Sequence, residues 1–262
     1  MTQEQLDSPL QAGAPRQAAR EGRGSTPETG APEAAPGGDG YRPPYPLFIC
    51  LDGQPVTVVG AGRVAQRKVE TLLLHGAVVT VVAPQATREL QELSERGAIA
   101  WERREYRDGD LAGALLAFGA TSDRAVNERV YEEACRRTML VNVVDVPDLC
   151  NAIVPSVMRR GRLQVAVSTD GASPETAKSI RHDLEDRFEP WWETYMDSLA
   201  AMRAEIKRRV DGPASRRAPL YRAVLSDGLV AEQARRGQVV DVDRTFERVV
   251  APLLRKGRQG LA

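Results

Sequence analysis

Between residues 45 and 144, short runs of apolar residues alternate with segments in which apolar residues recur every three or four positions. Short valine- and isoleucine-rich runs are typical of buried strands, and the longer periodicity is typical of helices. The pattern predicts strands at residues 46–51, 55–59, 78–82, 99–101, 116–118 and 140–144, and helices at 63–75, 87–96 and 125–137, with a helical turn at 111–115. This alternation predicts an α/β fold with a doubly wound parallel sheet.

The pattern changes after residue 147. Alternating apolar residues at 152–158 and 163–168 predict two strands joined by a hairpin. Ser173 and Pro174 then suit the N-cap and the first turn of a long helix. Residues 191–210 and 217–256 predict further helices, so a helical segment follows the predicted hairpin.

Residues 1–43 are rich in glycine, proline, alanine, glutamine and glutamate and contain few large apolar side chains. Such a segment buries too little apolar surface to offset the entropy lost on ordering. We therefore expect a disordered N-terminal tail.

Charge and cysteine content exclude several classes of protein. The chain has 36 Lys and Arg residues and 36 Asp and Glu residues, so no net charge attracts nucleic acid or an anionic membrane. Its three cysteines, Cys50, Cys135 and Cys150, are widely spaced, which argues against a disulfide framework. No apolar run is long enough to span a bilayer, and the N-terminus lacks a signal-peptide pattern. We expect a soluble cytoplasmic protein without nucleic-acid or membrane partners.

A glycine-rich turn follows the predicted strand at residues 55–59. Gly60 suits a tight turn, and Gly62 lets a ligand approach the backbone at the start of the next helix. Ala65 is small enough for close packing of helix on strand. Helix N-termini favour anions, so the turn predicts a site for the pyrophosphate of a dinucleotide. The alternative is a turn without a ligand, which also favours glycine.

Polar residues follow the strands predicted at 116–118 and 140–144. Thr121, in the run 120–123 with Asn127 one helical turn later, could contact a ribose or a nicotinamide. Asp145 lies where a substrate of a parallel sheet would bind, although an aspartate before Pro147 is also typical of a turn or cap. Pro84 and Gln85 follow the strand predicted at 78–82. This position has no acidic residue to bind the ribose 2′-hydroxyl of NAD and no directly placed arginine for the 2′-phosphate of NADP, so spacing does not distinguish the two cofactors.

Over residues 45–210 the sequence resembles the siroheme-synthase-type precorrin-2 dehydrogenase and sirohydrochlorin ferrochelatase family. The resemblance lies in the order and spacing of several motifs: residues 59–68 (VGAGRVAQRK), Ala120-Thr121 with Val126-Asn127, 142–145 (NVVD), 153–156 (IVPS), 159–162, 165–169 (VAVST), and 171–174 (GASP) with Ala177, Arg181, Leu184 and Glu185. Ser122 and Thr169 depart from residues that are frequent in the family, which weakens the transfer of individual roles.

After the tail at 1–43, the resemblance implies an NAD-binding Rossmann domain at 44–146, a β-containing dimerisation segment at 147–175 and a helical domain at 176–262. It implies a homodimer that oxidises precorrin-2 to sirohydrochlorin with NAD. Some family members also insert ferrous iron, as a substrate, to give siroheme.

The resemblance also implies roles for individual residues. Asp145 matches the aspartate implicated in both reactions, and a carboxylate beside the ring could accept a proton. The dinucleotide contacts would come from Gly60, Gly62, Arg63, Val64, Pro84, Gln85 and Thr121. Substrate contacts would come from Asn142, Ser168, Thr169 and Arg181, with Arg159, Arg160, Arg162 and Lys178 as further cations for the substrate carboxylates, or as ordinary surface charges.

No residue spacing predicts a permanent metal site. His75 lies at the end of a helix, where a structural role is expected, and His182 could face the ring or be an ordinary helix-surface residue. Two alternatives stay open. One is a binding module that senses NAD(H) and lacks tetrapyrrole oxidase activity. The other is a chelatase without dehydrogenase activity, against which the intact glycine turn argues.

Overall fold

The computed structural model describes residues 42–259, and the predicted tail at 1–43 lies almost entirely outside them. The described chain forms two compact units. The sheet unit comprises residues 42–155 and 170–173, and the helical unit comprises residues 156–169 and 174–259.

A five-stranded parallel sheet forms the centre of the sheet unit, with the strand order β3-β2-β1-β4-β5. The strands are β1 (Pro55–Val59), β2 (Val78–Val82), β3 (Ala100–Glu102), β4 (Leu116–Gly119) and β5 (Leu140–Val143). The chain leaves β1, builds β2 and β3 on one side, and then returns to the other side of β1 for β4 and β5. This arrangement confirms the predicted α/β Rossmann-like fold.

Valine-rich strands form the sheet because both of its faces are buried. Val56 and Val58 pack against the face covered by α1 (Arg63–Leu74) and α2 (Arg88–Glu95). Val59 and Val141 pack against the opposite face, which α3 (Arg124–Arg136) covers. Alternate residues of one strand therefore pack against helices on opposite faces of the sheet.

In the helical unit, β6 (Ser156–Arg160) and β7 (Leu163–Val167) form an antiparallel pair, as predicted. Arg160 pairs with Leu163, so Gly161 and Arg162 form a two-residue turn. Gly161 has a φ of 53°, a left-handed conformation that such hairpin turns require. Gly161 therefore allows the tight turn that connects β6 and β7.

Helices complete this unit. They are α4 (Pro174–Arg187), α5 (Trp191–Arg209), α6 (Ala214–Leu225), α7 (Gly228–Arg235), α8 (Val242–Thr245) and α9 (Ala251–Gln259), with a π-helical turn at Phe246–Val250. Their core is rich in aromatic and aliphatic side chains, among them Trp192, Tyr195, Met202, Ile206 and Phe246. The predicted C-terminal helical segment is confirmed.

The strand predicted at residues 46–51 is wrong. This segment has no strand pairing, and Leu47 and Phe48 are exposed. Gly53 donates its N–H to the carbonyl oxygen of Gly76 at 2.8 Å, so the turn at 52–53 packs against the α1–β2 connection. Since β1 already pairs with β2 and β4 on its two sides, no edge is free for the predicted hairpin partner.

Candidate functional site

The turn between β1 and α1 contains two glycines with different structural requirements. Gly60 has a φ of 107°, and a Cβ at this position would lie 2.4 Å from the carbonyl oxygen of Ala120. Gly62 has an extended backbone with a φ of −78°, and a Cβ there would have no heavy atom within 4 Å. The fold therefore requires glycine at position 60, whereas Gly62 borders open space that a bound group could fill.

The N-terminus of α1 faces this open space with favourable electrostatics. Gly62 is the N-cap and provides no side chain, and the first turn of the helix contains no acidic residue. The first N–H groups of a helix lack intrahelical acceptors and carry the positive end of the helix dipole. Arg63 and Val64, the first two helical residues, are exposed. These features fit a phosphate or pyrophosphate group.

Backbone hydrogen bonds bring the loops that follow neighbouring strands to one edge of the sheet. Gly60 N–H donates to Val82 O at 2.9 Å, Ala120 N–H to Val59 O at 2.8 Å, and Val144 N–H to Gly119 O at 2.9 Å. The carboxyl edge of the sheet thus carries the sequence-predicted residues Gly60, Gly62, Arg63, Val64, Pro84, Gln85, Thr121, Asn142 and Asp145. Ligands of open α/β sheets bind at this edge.

Pro84 and Gln85 follow β2 and are both exposed. The preceding residue, Ala83, is buried, and its carbonyl oxygen accepts a hydrogen bond from Trp101 Nε1 at 2.9 Å. This bond anchors the end of β2 beside the glycine turn. Pro84 and Gln85 therefore present their side chains at a defined position of the carboxyl edge.

The loop after β4 is held in place by side-chain hydrogen bonds. Thr121 Oγ1 accepts from the N–H of Asp123 at 2.7 Å, and the carboxylate of Asp123 caps α3 by accepting from the N–H of Ala125 at 2.9 Å. Asn127 is only 5% exposed, and its Nδ2 donates to the carbonyl oxygen of Thr121 at 3.0 Å. The structure thus places Asn127 beneath the loop, where it positions Thr121, instead of at the ligand surface.

Asp145 follows β5 in a left-handed backbone conformation with a φ of 59°, and its side chain is exposed. Few residues other than glycine adopt this conformation, and such residues cluster at functional sites. Cys150 stabilises the turn, because its Sγ accepts from Val143 N–H at 3.2 Å and donates to Val146 O at 3.3 Å. The carboxylate of Asp145 therefore projects from a well-supported turn.

Asn142, which was predicted to contact a substrate, is half-buried on β5. Its Nδ2 donates to the carbonyl oxygen of Ala152 at 2.9 Å. The amide therefore connects β5 to the segment after the Asp145 turn, and it lies beside Phe118 of β4 in the strand register.

Comparisons with known proteins cover both units. Residues 47–156 match a family model described as "Putative NAD(P)-binding", and residues 160–187 match one described as "Sirohaem biosynthesis protein central". A solved structure of SirC, a precorrin-2 dehydrogenase, is 30% identical with a TM-score of 0.63, and the match covers 74% of this chain and 98% of SirC. This chain belongs to the siroheme-synthase-type precorrin-2 dehydrogenase family.

Two siroheme synthases show the same relationship. The protein from Nitrosococcus oceani is 35% identical over 202 residues, which are 77% of this chain and 43% of the relative. The protein from Methylococcus capsulatus is 38% identical over 201 residues, which are 77% of this chain and 42% of the relative. This family member therefore spans less than half of the length of these siroheme synthases.

The remaining sequence-predicted site residues of this dehydrogenase-family chain lie in the helical unit. Ser168 is exposed and Thr169 is half-buried, both directly after β7. Arg181 is half-buried on α4, where it forms an ion pair with Glu185 one helical turn later. These three residues therefore belong to a different unit from Asp145 and the glycine turn.

Arg160, one of the predicted cations for substrate carboxylates, has a structural role in this family member. Its Nε donates to the carbonyl oxygen of Phe188 at 2.7 Å, and its Nη2 donates to that of Glu185 at 3.0 Å. The last carbonyl groups of a helix lack intrahelical donors, so Arg160 caps the C-terminal end of α4.

Lys68 lies near the candidate site, although the family resemblance implied no role for it. Burial lowers the pKa of its ammonium below the ordinary value, while Asp145 and Cys150 act in the opposite direction. The signal was its position on α1, within the helix face marked by the buried residues Ala65, Val69 and Leu72. A lysine beside a sheet-facing stripe is unusual enough to indicate a specific contact.

Among residues 42–259, no group of three or more His, Cys, Asp and Glu side chains is arranged to hold a metal ion. In the same range, the helices are all too short or too polar to cross a membrane.

Proposed function

We propose that this protein catalyses the NAD-dependent dehydrogenation of precorrin-2 to sirohydrochlorin. The observation that carries the proposal is the placement of Asp145 and the Gly60–Gly62 turn at one edge of a parallel sheet, on loops that follow the two strands on either side of β4. The family membership supports it, and SirC, a relative that this chain covers almost completely, is named as a precorrin-2 dehydrogenase.

The glycine turn would hold the dinucleotide. The N-terminus of α1 suits the pyrophosphate, and the open space beside Gly62 gives it room. Pro84, Gln85 and the loop at Thr121 would flank it on the two sides of β1. When bound, NAD would supply the acceptor for a hydride removed from the substrate.

Asp145 would act as the base. Dehydrogenation removes one hydride and one proton from the reduced macrocycle, and an exposed carboxylate at the substrate position can accept the proton. The products are then sirohydrochlorin, reduced dinucleotide and a protonated carboxyl group, which releases its proton to solvent. The charge and the exposure of Asp145 both suit this role.

The helical unit would bind the acidic side chains of the substrate. We propose Arg181 for a substrate carboxylate, with Ser168 and Thr169 as hydrogen-bonding residues. Arg181 is half-buried and ends in a planar guanidinium, which pairs with carboxylates through two hydrogen bonds. On substrate binding, the Arg181 guanidinium would either contact Glu185 and the substrate carboxylate together or exchange the first for the second.

We also propose that the protein works as a homodimer through the segment 147–175. Ile153, Val154 and Val157 are exposed apolar residues of this segment, and exposed apolar patches favour association. Sedimentation of the wild type and of Val157→Glu tests this proposal. A wild type that remains monomeric at micromolar concentration would contradict it.

The deciding experiment is an anaerobic assay of the purified protein with precorrin-2. The spectrum of sirohydrochlorin should appear with NAD and should be absent without it. A parallel reaction with ferrous iron as substrate, scored separately for siroheme, tests insertion of the metal. Tight binding of NADH without oxidation of precorrin-2 would replace the proposal with the nucleotide-sensing alternative, which the enzyme names of the relatives do not favour.

Asp145→Asn should lower the rate of oxidation roughly 10²- to 10⁴-fold. Dinucleotide binding should stay intact, because Asp145 lies outside the glycine turn. The assay compares turnover with a fluorescence titration of NADH. Full turnover by this variant would remove Asp145 from the mechanism.

A further inference from the structure

Lys68 lies on the face of α1 that covers the sheet. The helix begins at the carboxyl end of β1, and Lys68 is the sixth of its twelve residues. The Cα–Cβ bonds of a helix tilt toward its N-terminus, so a lysine side chain at this position runs back toward the carboxyl edge of the sheet. Its aliphatic stem can remain against apolar residues while the ammonium approaches the polar edge.

The contacts of the ammonium agree with this direction. The Nζ atom lies 5.5 Å from the centroid of the Phe118 ring, within the range of a cation–π interaction. Phe118 pairs in register with Asn142 on β5, and Asp145 follows three residues later. Lys68 therefore lies over β4, beside the strand β5 whose end carries the Asp145 turn.

Electrostatics connects Lys68 to that turn. Desolvation lowers the pKa of its ammonium, whereas the charge of Asp145 and the thiol of Cys150 each raise it. Across residues 42–259, Lys68 is in no direct ion pair with a carboxylate. Because it is half-buried, its charge is less screened by salt than that of an exposed lysine.

We infer that Lys68 is a positioning residue that orients the carboxylate of Asp145 for proton abstraction. This inference rests on the proposed function. An exposed aspartate on a turn would otherwise exchange among several rotamers in water. A fixed positive charge on the sheet side favours the rotamers in which the carboxylate turns toward the carboxyl edge, where the substrate would lie. A carboxylate that is already oriented loses less rotational entropy when it reaches the transition state.

The first test needs neither cofactor nor substrate. The chain has four lysines, Lys68, Lys178, Lys207 and Lys256, so a full-length protein labelled with ¹³C-lysine gives few side-chain signals. The signal lost in Lys68→Arg identifies Lys68. Because Asp145 raises the pKa of the Lys68 ammonium, Asp145→Asn should lower the midpoint of its pH titration.

Asp148→Asn is the matched control for this titration. Asp148 is an exposed carboxylate on the same connection, in the 3₁₀ turn Pro147–Leu149. Its removal should leave the Lys68 midpoint unchanged. Equal midpoints in the wild type and Asp145→Asn would overturn the inference, because the two groups would then not interact.

The second test uses turnover of precorrin-2. Lys68→Met keeps the length of the stem against Phe118 and removes the charge, and it should lower kcat roughly 10- to 100-fold. The dissociation constant of NADH should stay at the wild-type value. Lys68→Arg restores the charge and should recover a large part of kcat, which a merely structural role would not predict.

A double variant shows whether Lys68 acts through Asp145. In an Asp145→Asn background, Lys68→Met should reduce the residual rate by less than about twofold, because the group it orients is already absent. An equal loss in both backgrounds, or a wild-type kcat in Lys68→Met, would overturn the inference. If the wild type does not oxidise precorrin-2, the proposed function fails, and the lysine titration alone decides the Lys68–Asp145 interaction.

Discussion

Asn127 donates its side-chain Nδ2 to the main-chain carbonyl oxygen of Thr121 at a distance of 3.0 Å. The donor is on α3 and almost fully buried, whereas the acceptor is on the loop at the carboxyl edge of the sheet. A buried amide thus holds in place the loop that we propose to contact the dinucleotide. Asn127 links the packing of the sheet unit to the shape of its candidate site.

Asn127→Ala should weaken both stability and dinucleotide binding. Loss of the hydrogen bond leaves the carbonyl oxygen of Thr121 without this donor, and such a change costs about 1–3 kcal/mol of unfolding free energy. The freed loop should raise the dissociation constant of NADH roughly tenfold, since about 1.4 kcal/mol corresponds to that factor. Urea denaturation and a fluorescence titration measure the two effects.

Ser122→Ala provides the control for Asn127, because Ser122 is exposed on the same loop. It should change neither quantity measurably. An Asn127→Ala protein with unaltered NADH affinity would show that the loop does not depend on this hydrogen bond.

Substitutions at Gly60 and Gly62 should separate the requirements of the fold from those of the ligand. Gly60→Ala places a methyl group 2.4 Å from the carbonyl oxygen of Ala120 and keeps a positive φ of 107°. Strain of this kind costs about 1–3 kcal/mol, and the overlap adds to it. Urea denaturation should show this loss of stability even without a dinucleotide.

Gly62→Ala should have the opposite profile. Its φ of −78° suits alanine, and its Cβ would meet no atom within 4 Å. Stability should fall by no more than about 1 kcal/mol, the typical cost of alanine at an N-cap, where glycine is preferred. The affinity for NADH should fall roughly tenfold, because the methyl group occupies the space proposed for the pyrophosphate. Unchanged affinity in this variant would place the dinucleotide elsewhere.

Glu133 should make the stability of the sheet unit dependent on acid pH. Desolvation raises the pKa of this buried carboxyl, but hydrogen bonds from Tyr106, the N–H of Gly109 and Arg137 outweigh it and hold the pKa below 4.5. A carboxyl whose folded pKa is depressed stabilises the protein above its unfolded pKa. This contribution should disappear as the pH falls below 4.5 and through the folded pKa.

Glu133→Gln tests this dependence. The free energy of unfolding in urea should fall less between pH 7 and pH 4 in this variant than in the wild type, while at pH 7 the variant should lose about 1.5–3 kcal/mol. Glu132→Gln, at the exposed neighbouring position, is the control and should keep the wild-type pH dependence. Parallel curves for the wild type and Glu133→Gln would exclude Glu133 as the titrating group.

The parallel strands could be predicted because each is a continuous apolar run that both faces of the sheet bury. The segment at 46–51 has a similar composition but no strand partner, because both sides of β1 are already occupied. Pairing is a non-local property, and a local pattern cannot show which edge is free. The prediction of this strand failed for that reason.

The same distinction applies to the site. The glycine turn and the position of Asp145 follow from the pattern of strands, so the sequence predicts that both lie at the carboxyl edge of the sheet. The roles of Lys68, Asn127 and Arg160 depend on what lies opposite each side chain after folding. Polar and charged residues of these types are usually exposed, so the sequence indicated ligand or surface roles for Asn127 and Arg160 and none for Lys68.

Arg160 provides a final prediction, because it was expected either at the substrate or as a surface charge and is found at the end of α4. Arg160→Lys keeps the positive charge but cannot donate to both Phe188 O and Glu185 O with the same geometry. The variant should lose about 1–3 kcal/mol of unfolding free energy, measured in urea. Arg162→Ala is the control, since the exposed ion pair of Arg162 with Asp197 is worth less than about 1 kcal/mol. If Arg160→Lys is as stable as the wild type and only the KM for precorrin-2 rises, Arg160 binds substrate and does not cap α4.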